Sequence, residues 1–560
     1  MAALKIIPLG GMGNVTQNMY VYEYEDEMMI FDCGIGFPTQ AMPGVDVMIP
    51  DITYLKEQVE AGKRIVGMIL THGHDDHIAA LPYILPELPD DFPIYASPLT
   101  AGFAKNRIHD GAVEREITVF KDNQVFEVGQ YFKVEGFPMT HSVPDTRHFA
   151  VRTPEGLIYH GVDFKIDLQP VDHVLPDFDT ISRLGKEGVL CMLMDCLRVE
   201  RDGWTKSESA CYPALEEAMV EIEGKCIVTL MSSHIHRIQQ IVNIAGKLGR
   251  KIVFIGRSVE QNVDVARELN KLIIPADMVV SKRDMTNYKD EELCIIIAGS
   301  QGQEGSSMVR AIYGEHPVLQ IKSKDRVIFS SDAIPGNEIP YYEAIDELAR
   351  NGVRVLYPDV SPDLHQSGHA GAMEQQMLIA LVKPKYLFPM GGQDRHREKF
   401  FELAAEKMDY AAEKVLIPGH GDIVEFENGR PQLGDHLNLQ PRYVDGLGVG
   451  DVGRSVLMDR RALGREGMIV LVIPKVSGRL DLENLQVVSR GFVFMKEAQE
   501  VVDYIKQASR EIIDEVQSNG GQSDEAKEEE IKRAVERRLG RRLYKIIRRE
   551  PMILPVIMEV

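Results

Sequence analysis

The sequence holds no CxxC pair. Its six cysteines, Cys33, Cys191, Cys196, Cys211, Cys226 and Cys294, are scattered along 560 residues. That excludes a disulfide framework and a cysteine-built zinc knuckle, and suits reduced thiols in a cytoplasmic protein. No apolar run reaches the roughly 18 residues of a membrane span, so no membrane partner is expected. The first residues, MAALKIIPLG, lack the basic-then-apolar plan of a secretory signal. Positive charge is scarce: 63 Lys and Arg stand against 85 Asp and Glu, a net charge of -22 at pH 7. Such a balance argues against non-specific coating of nucleic acid or membrane. It leaves room for a local basic groove, because distant charge is screened within about 10 Å. One segment reverses the sign: Ile531 to Glu550 holds nine Lys or Arg in twenty residues. It reads first as a solvated helix face balancing the acidic DEAKEEE before it, and second as an RNA-facing or subunit-facing surface.

What is present is an ordinary globular composition, 44% hydrophobic and 26% charged, long enough for roughly three or four domains. The first third alternates short β-rich runs with turns: LKIIPLG, a hairpin in NMYVYEYEDEMMIFDCG, and GMILTHG. IAALPYILPEL is expected to be one helix. From about Ser207 the texture changes to apolar strands separated by amphipathic helices, CIVTLMSS before HRIQQIVNIAGKLG and KIVFIG before SVEQNVDVARELN. That alternation predicts a parallel α/β sheet. NLQPRYVDGLGVGDVG suits a linker or an extended crossing segment. The last ninety or so residues form their own unit: strands in GMIVLVIP and QVVSRGFVFM, a helix through Val501, Ile505, Ala508, Ile512 and Val516, a break at NGGQSDE, the basic helix, and a closing strand PMILPVIMEV.

The stretch THGHDDHIAA, Thr71 to Ala80, places three histidines and two aspartates in six positions after the apolar run IVGMIL. His72 and His74 are two apart in an extended loop, so both imidazoles point the same way. Asp76 and His77 follow where the chain turns into a helix. Imidazole with carboxylate suits zinc or manganese better than calcium. Asp32, at the strand end of IFDCG, is placed to orient a ligand histidine from behind. His141 in MTHSVPD and Asp163 in IYHGVDFKID each follow a strand and complete the candidate donor set.

These residues resemble the four metal motifs of the metallo-β-lactamase superfamily. GRSVEQN, GSQG, VIFSSDAIPGNE, HQSGHA, VDGLGVGDVG, SRGFVF and RREPMILPVIMEV further resemble segments of the ribonuclease J family of β-CASP nucleases, from end to end. The resemblance implies an α/β fold: a metallo-β-lactamase αββα sandwich, an inserted β-CASP α/β domain and a small C-terminal α+β domain. The expected boundaries are 1–206 and 360–437 for the sandwich, 207–359 for the insert, 438–466 for a linker and 467–560 for the C-terminal domain. It implies two divalent metal ions, zinc for preference and manganese as the alternative. His72, His74, His141 and Asp163 would hold the first, and Asp76, His77 and bridging Asp163 the second. Asp195 would support the acid and His369 would protonate the departing 3′ oxygen. His365, Ser367 and Gly368 would form a phosphate pocket, with Ser232, Ser233, Ser330 and Ser331 lining it and Phe37 stacking on a base. The implied partner is single-stranded RNA, preferably 5′-monophosphorylated, cut from the 5′ end and internally, by a homodimer or homotetramer built through the C-terminal domain.

The pattern breaks in one place. The family carries a PVHGE-like stretch after the KPKY strand, whose histidine completes the second metal site; here it reads FPMGGQDRH, with Gly391 where the histidine is expected. Glycine has no side chain to donate, so the second site is expected to be weak. His396 and His420 are the nearby histidines. Asp332 adds negative charge beside the phosphate pocket, and GMGNVTQN departs from the family in the first loop. A weakly active or inactive paralogue that assembles with an active homologue is the alternative reading. A thioesterase-like hydrolase is disfavoured, because the insert and the C-terminal unit would be surplus to it.

Overall fold

The computed structural model describes residues 2–39, 41–111, 113–334, 336–446, 448–492, 499–518 and 524–560. The chain divides into two units, Met1–Phe37 with Val47–Arg442, and Pro38–Asp46 with Tyr443–Val560.

The first unit contains two facing sheets. The eight-stranded sheet runs Arg430–His436, Asp422–Glu427, Leu4–Pro8, Tyr20–Tyr24, Glu27–Phe31, Arg64–Leu70, Ile94–Ala96, Ile117–Val119. The six-stranded sheet runs Tyr386–Met390, Val189–Asp195, Gly156–Gly161, Arg147–Thr153, Phe132–Pro138, Val125–Val128. Strands Val189–Asp195 and Tyr386–Met390 of the second sheet are buried throughout, which is why they read as continuous apolar runs. In Val189–Asp195, Cys191 and Leu193 point into the inter-sheet core with Tyr22, Phe31 and Phe149. Met192 and Met194 point the other way, against Ile181, Leu378 and Phe400 of the outer helices Phe178–Glu187, Ala372–Val382 and Asp394–Glu402. This is the two-residue alternation of a strand. Helices Thr53–Glu60 and Pro98–Asp110 lie on the other sheet, giving the αββα order expected.

The insert is a five-stranded, all-parallel sheet, ordered Lys251–Ile255, Leu293–Ile297, Cys226–Thr229, Arg326–Phe329, Arg354–Leu356. It leaves the sandwich after Val189–Asp195 and returns to Tyr386–Met390, which pairs in parallel beside that same strand with Asp195 opposite Met390. The excursion therefore closes where it opened, and brings Gly391 next to Asp195.

One expectation is corrected. IAALPYILPEL is not one helix but short turns, Asp75–Ile78, Leu81–Ile84 and Leu85–Glu87, because Pro82 and Pro86 each lack an N–H and restart the helix. After the glycine-rich stretch the chain forms the helix Arg454–Glu466, whose Leu457 packs with Val45 and Val452. In the second unit, Met468–Val476 pairs in parallel with Met552–Glu559 and antiparallel with Gln486–Arg490. Helices Gln499–Ser518 and Asp524–Ile547 cover that sheet through Ile505, Ile512, Val535 and Leu539. The end of the QVVSRGFVFM run, from residue 493, and most of the NGGQSDE break lie outside the described residues. Among the described residues no helix is long and apolar enough to cross a membrane, and all six cysteines are buried and free.

Candidate metal centre

The candidate residues sit just past the carboxyl ends of neighbouring strands. Asp32 follows Glu27–Phe31, the His72–His77 loop follows Arg64–Leu70, His141 follows Phe132–Pro138, Asp163 follows Gly156–Gly161, and Asp195 ends Val189–Asp195. One rim of the sandwich thus gathers residues from across the first unit. His72, His74, His141 and Asp163 offer donor atoms all within 4.8 Å of one another; so do Asp76, His77 and Asp163, and Asp163, Asp195 and His369. Asp163 belongs to all three groups.

Hydrogen-bond partners assign the tautomers. Thr71 Oγ1 donates to Asp32 Oδ2 at 2.8 Å and so accepts from His72 Nδ1 at 3.0 Å. Gly368 O accepts from His141 Nδ1 at 2.7 Å, and Ser142 Oγ, which can accept as well as donate, lies 3.2 Å from His74 Nε2. Each ring spends its N–H backwards and turns a lone pair forwards. His74 Nδ1 then lies 3.2 Å from both His72 Nε2 and His141 Nε2, with Asp163 Oδ2 3.7 Å from each of the latter two. Burial keeps these rings neutral, lowering His72 and His141 well below their ordinary pKa and His74 to about 3. Three imidazole lone pairs and a carboxylate facing one point repel each other unless a cation lies between them. The donor set therefore fits a divalent metal ion.

The second group is built differently. His77 Nδ1 donates to the buried Asp32 Oδ2 at 2.7 Å, and its Nε2 lies 3.5 Å from Asp163 Oδ2 and 3.8 Å from Asp76 Oδ2. Burial pulls His77 down, but Asp163, Asp32 and Asp76 hold the imidazole well above its ordinary pKa. A cation there would take over the role of that proton. Asn18 Nδ2 also approaches His77 Nε2, at 3.1 Å. Sequence reasoning passed over Asn18, although it lies in the divergent GMGNVTQN loop. Gly391 stands beside this group: a Cβ there would lie 3.7 Å from both Asp163 Oδ1 and Asp195 Oδ1. Neither His396 nor His420 belongs to any donor group among the described residues. His396 Nδ1 accepts from Gln393 N at 3.2 Å and its Nε2 faces Glu200 at 3.5 Å, while His420 is exposed.

His369 holds Asp195 Oδ2 through Nδ1 at 2.7 Å and turns Nε2 toward Asp163 Oδ2 at 3.9 Å. Burial opposes its charge, but Asp195 and Asp163 raise its pKa to about 9. Nearby, His365 Nδ1 and Ser331 Oγ are buried polar atoms without a hydrogen-bond partner among the described residues. Ser367 Oγ accepts from His369 N at 3.1 Å and Ser232 Oγ accepts from Asn262 Nδ2 at 3.4 Å; Ser233 is buried and Phe37 half-buried. Ser330 does not line an open pocket: its hydroxyl donates to Leu364 O at 2.7 Å and accepts from Arg237. Asp332 reaches within 3.9 Å of His365 Nε2. Burial pushes its carboxyl up, and Arg198 draws it back.

Comparison with known proteins agrees with this geometry. The chain matches the metallo-beta-lactamase superfamily over residues 12–164, the beta-CASP domain of ribonuclease J over 223–348 and the ribonuclease J C-terminal domain over 455–560. It is 35% identical to ribonuclease J of Thermus thermophilus over 99% of this chain and 95% of that one. It is 32% identical to ribonuclease J2 of Bacillus subtilis over 100% of this chain and 99% of that one. Among solved structures, a protein of unknown function from Enterococcus faecalis shares the fold, with a TM-score of 0.52 at 17% identity over 76% of this chain and 100% of that one. The full-length likeness and the strand-end His/Asp cluster lead to one conclusion: the chain belongs to the ribonuclease J family.

Proposed function

We propose that the chain is a metal-dependent ribonuclease that hydrolyses phosphodiester bonds of single-stranded RNA. It trims 5′-monophosphorylated ends in the 5′-to-3′ direction and also cuts internally. The observation that carries this reading is the convergence of three imidazole lone pairs on Asp163, with the His369–Asp195 pair on the same carboxylate. His72, His74, His141 and Asp163 hold one divalent ion, and Asp76, His77 and the shared Asp163 a second, zinc for preference and manganese as the alternative. Bound there, such ions supply Lewis-acid polarisation of the phosphodiester and a water of lowered pKa.

The remaining steps belong to the protein. Asp195 fixes His369 so that its Nε2 faces the donor cluster, where it gives its proton to the departing 3′ oxygen. His365 and Ser331 offer unspent polar atoms to the 5′-phosphate. Ser367, Gly368, Ser232 and Ser233 shape the surrounding loops, and Phe37 stacks a base. We assign residues 1–206 and 360–437 to the sandwich and 207–359 to the insert. Residues 467–560 assemble a homodimer or homotetramer. Buried, unpaired cysteines support a cytoplasmic location. Gly391 alone favours the alternative, a weakly active paralogue that assembles with an active homologue.

The deciding experiment is metal analysis of the purified protein beside an assay on 5′-monophosphorylated RNA. Release of mononucleotides from the 5′ end, abolished by a chelator, is expected. A metal-loaded protein that leaves RNA intact would instead establish the assembly reading. Deleting residues from Gly467 onward should lower the number of chains per particle, read as light-scattering mass divided by chain mass; an unchanged number would refute the assembly role of that domain.

A further inference from the structure

We propose that Arg237 is a positioning residue for the RNA 5′ end, holding together the two loops that carry His365 and Ser331. The inference rests on the phosphate-pocket reading above. Arg237 lies in the first turn of the helix Ile235–Lys247 and is 0% exposed. A guanidinium buried that deeply persists only if its charge is paired and its donors are satisfied. The pairing is bidentate: Nε and Nη2 donate to the two carboxylate oxygens of Glu208, Nη2 at 2.9 Å.

The other terminal nitrogen joins two separate loops. Nη1 donates to Ser330 O at 3.2 Å, Ser330 Oγ at 2.6 Å and Leu364 O at 2.9 Å. Ser330 Oγ closes the triangle by donating to Leu364 O at 2.7 Å. The residue after each anchored position is Ser331 or His365, and each of these carries a buried polar atom without a hydrogen-bond partner among the described residues. Native proteins rarely leave such atoms unused, and one planar cation fixes the backbone beside both of them.

The counter-ion extends the link toward the metal centre. Glu208 N donates to Asp167 Oδ2 at 2.8 Å, and Lys165 Nζ lies 3.7 Å from Asp167 and 3.9 Å from Glu208. Lys165 and Asp167 belong to the short segment that follows Asp163. Arg237, Glu208 and Asp167 thus form a strut between the phosphate pocket and the shared carboxylate. Lysine cannot replace the arginine: its three donors on a point charge do not span a carboxylate fork and two loops.

The test uses full-length protein and two otherwise identical single-stranded RNAs, one with a 5′-monophosphate and one with a 5′-hydroxyl. The readout is the ratio of kcat/KM on the two, with metal content and melting temperature followed in parallel. Arg237→Lys should lower that ratio by about 10- to 100-fold, as expected for loss of alignment, chiefly through KM and with metal retained. Ser330→Ala, which keeps the Arg237–Glu208 pair, should lower it less and carries the test if Arg237→Lys does not fold. Equal losses on both RNAs, or an unchanged ratio in Ser330→Ala and in any folded Arg237→Lys, overturn the proposal. His365→Ala separates the two levels. A wild-type ratio there removes the phosphate-pocket reading and this proposal with it. A collapsed ratio there, beside wild-type ratios in the other two variants, overturns the role of Arg237 alone.

Discussion

The two donor groups that share Asp163 are unequal. In the first, three imidazoles are each fixed from behind by a different partner, Thr71, Ser142 and Gly368 O, so three neutral nitrogens arrive aimed. The second relies on carboxylates. One imidazole, His77, is fixed by Asp32, its free nitrogen is already approached by Asn18, and the neighbouring position 391 is glycine. In the first set, hydrogen bonds from behind aim the three neutral rings before a cation arrives, and Asp163 supplies its single carboxylate. An acidic set depends on the cation to offset its own repulsion, and carries a proton on His77 when the cation is gone. The first site is therefore expected to fill first and the second to set the metal concentration at which activity appears.

The largest effect should come from His74, whose Nδ1 lies 3.2 Å from the facing nitrogens of both His72 and His141. His74→Ala should reduce RNA cleavage by at least about 100-fold and remove metal from the first group, with the fold intact, since outer partners alone are worth about 10- to 100-fold. A folded variant that has lost metal yet cleaves at the wild-type rate would break the assignment. His369→Ala should come next, with a loss of about 100- to 10,000-fold, the usual contribution of a positioned proton donor. Metal content should stay near the wild-type value, because His369 faces Asp163 at 3.9 Å and is held by Asp195. Metal lost in step with activity would make His369 a ligand instead.

A smaller and more diagnostic effect is expected from Asp32→Asn. Asp32 accepts from Thr71 N, Thr71 Oγ1 and His77 Nδ1, so it stands behind both groups, directly behind His77 and through Thr71 behind His72. Its backbone is left-handed, φ 60°, which asparagine tolerates. Metal affinity should fall by about 10- to 100-fold at both groups, read as earlier release of two ions in a chelator titration. Release of only one ion ahead of wild type would show that the Thr71 relay does not aim His72.

What the sequence disclosed follows from locality. HxHxDH is contiguous, so its four donor residues are visible in one short stretch, and the central strands announce themselves because both faces are buried. Asp195 and His369, separated by 174 positions, were found only through resemblance to a family. The carbonyl of Gly368 behind His141, 227 positions away, is a backbone group and leaves no residue-type signal. Asn18 and Arg237 read as an ordinary polar loop residue and an ordinary helix residue; only their burial beside His77 and Glu208 singles them out. The helix Arg454–Glu466 was hidden by the glycine-rich stretch before it, although the stretch stops where the helix begins.

The smallest expected effect concerns Gly391, and it bears most directly on the inequality of the two groups. The space is there: a Cβ at 391 meets only Asp163 Oδ1 and Asp195 Oδ1, each at an ordinary 3.7 Å, and so points toward the second donor group. The backbone is the obstacle. Gly391 sits at φ +67° and its N–H donates to Gly11 O at 3.0 Å, which holds that conformation. A side chain there costs about 1–2 kcal/mol, and Gly391→Ala measures that strain alone as a lowered melting temperature. Gly391→His should show the same destabilisation without metal. With metal it should bind closer to two ions per chain and reach half-maximal cleavage at a lower metal concentration than wild type or Gly391→Ala. The gain should be modest, because part of the new ligand's binding energy is offset by the strain. If wild type already binds two ions tightly and Gly391→His titrates like Gly391→Ala, the second group is complete without a residue at 391. The comparison between the groups then fails, and with it the one observation that favours a weakly active assembly subunit.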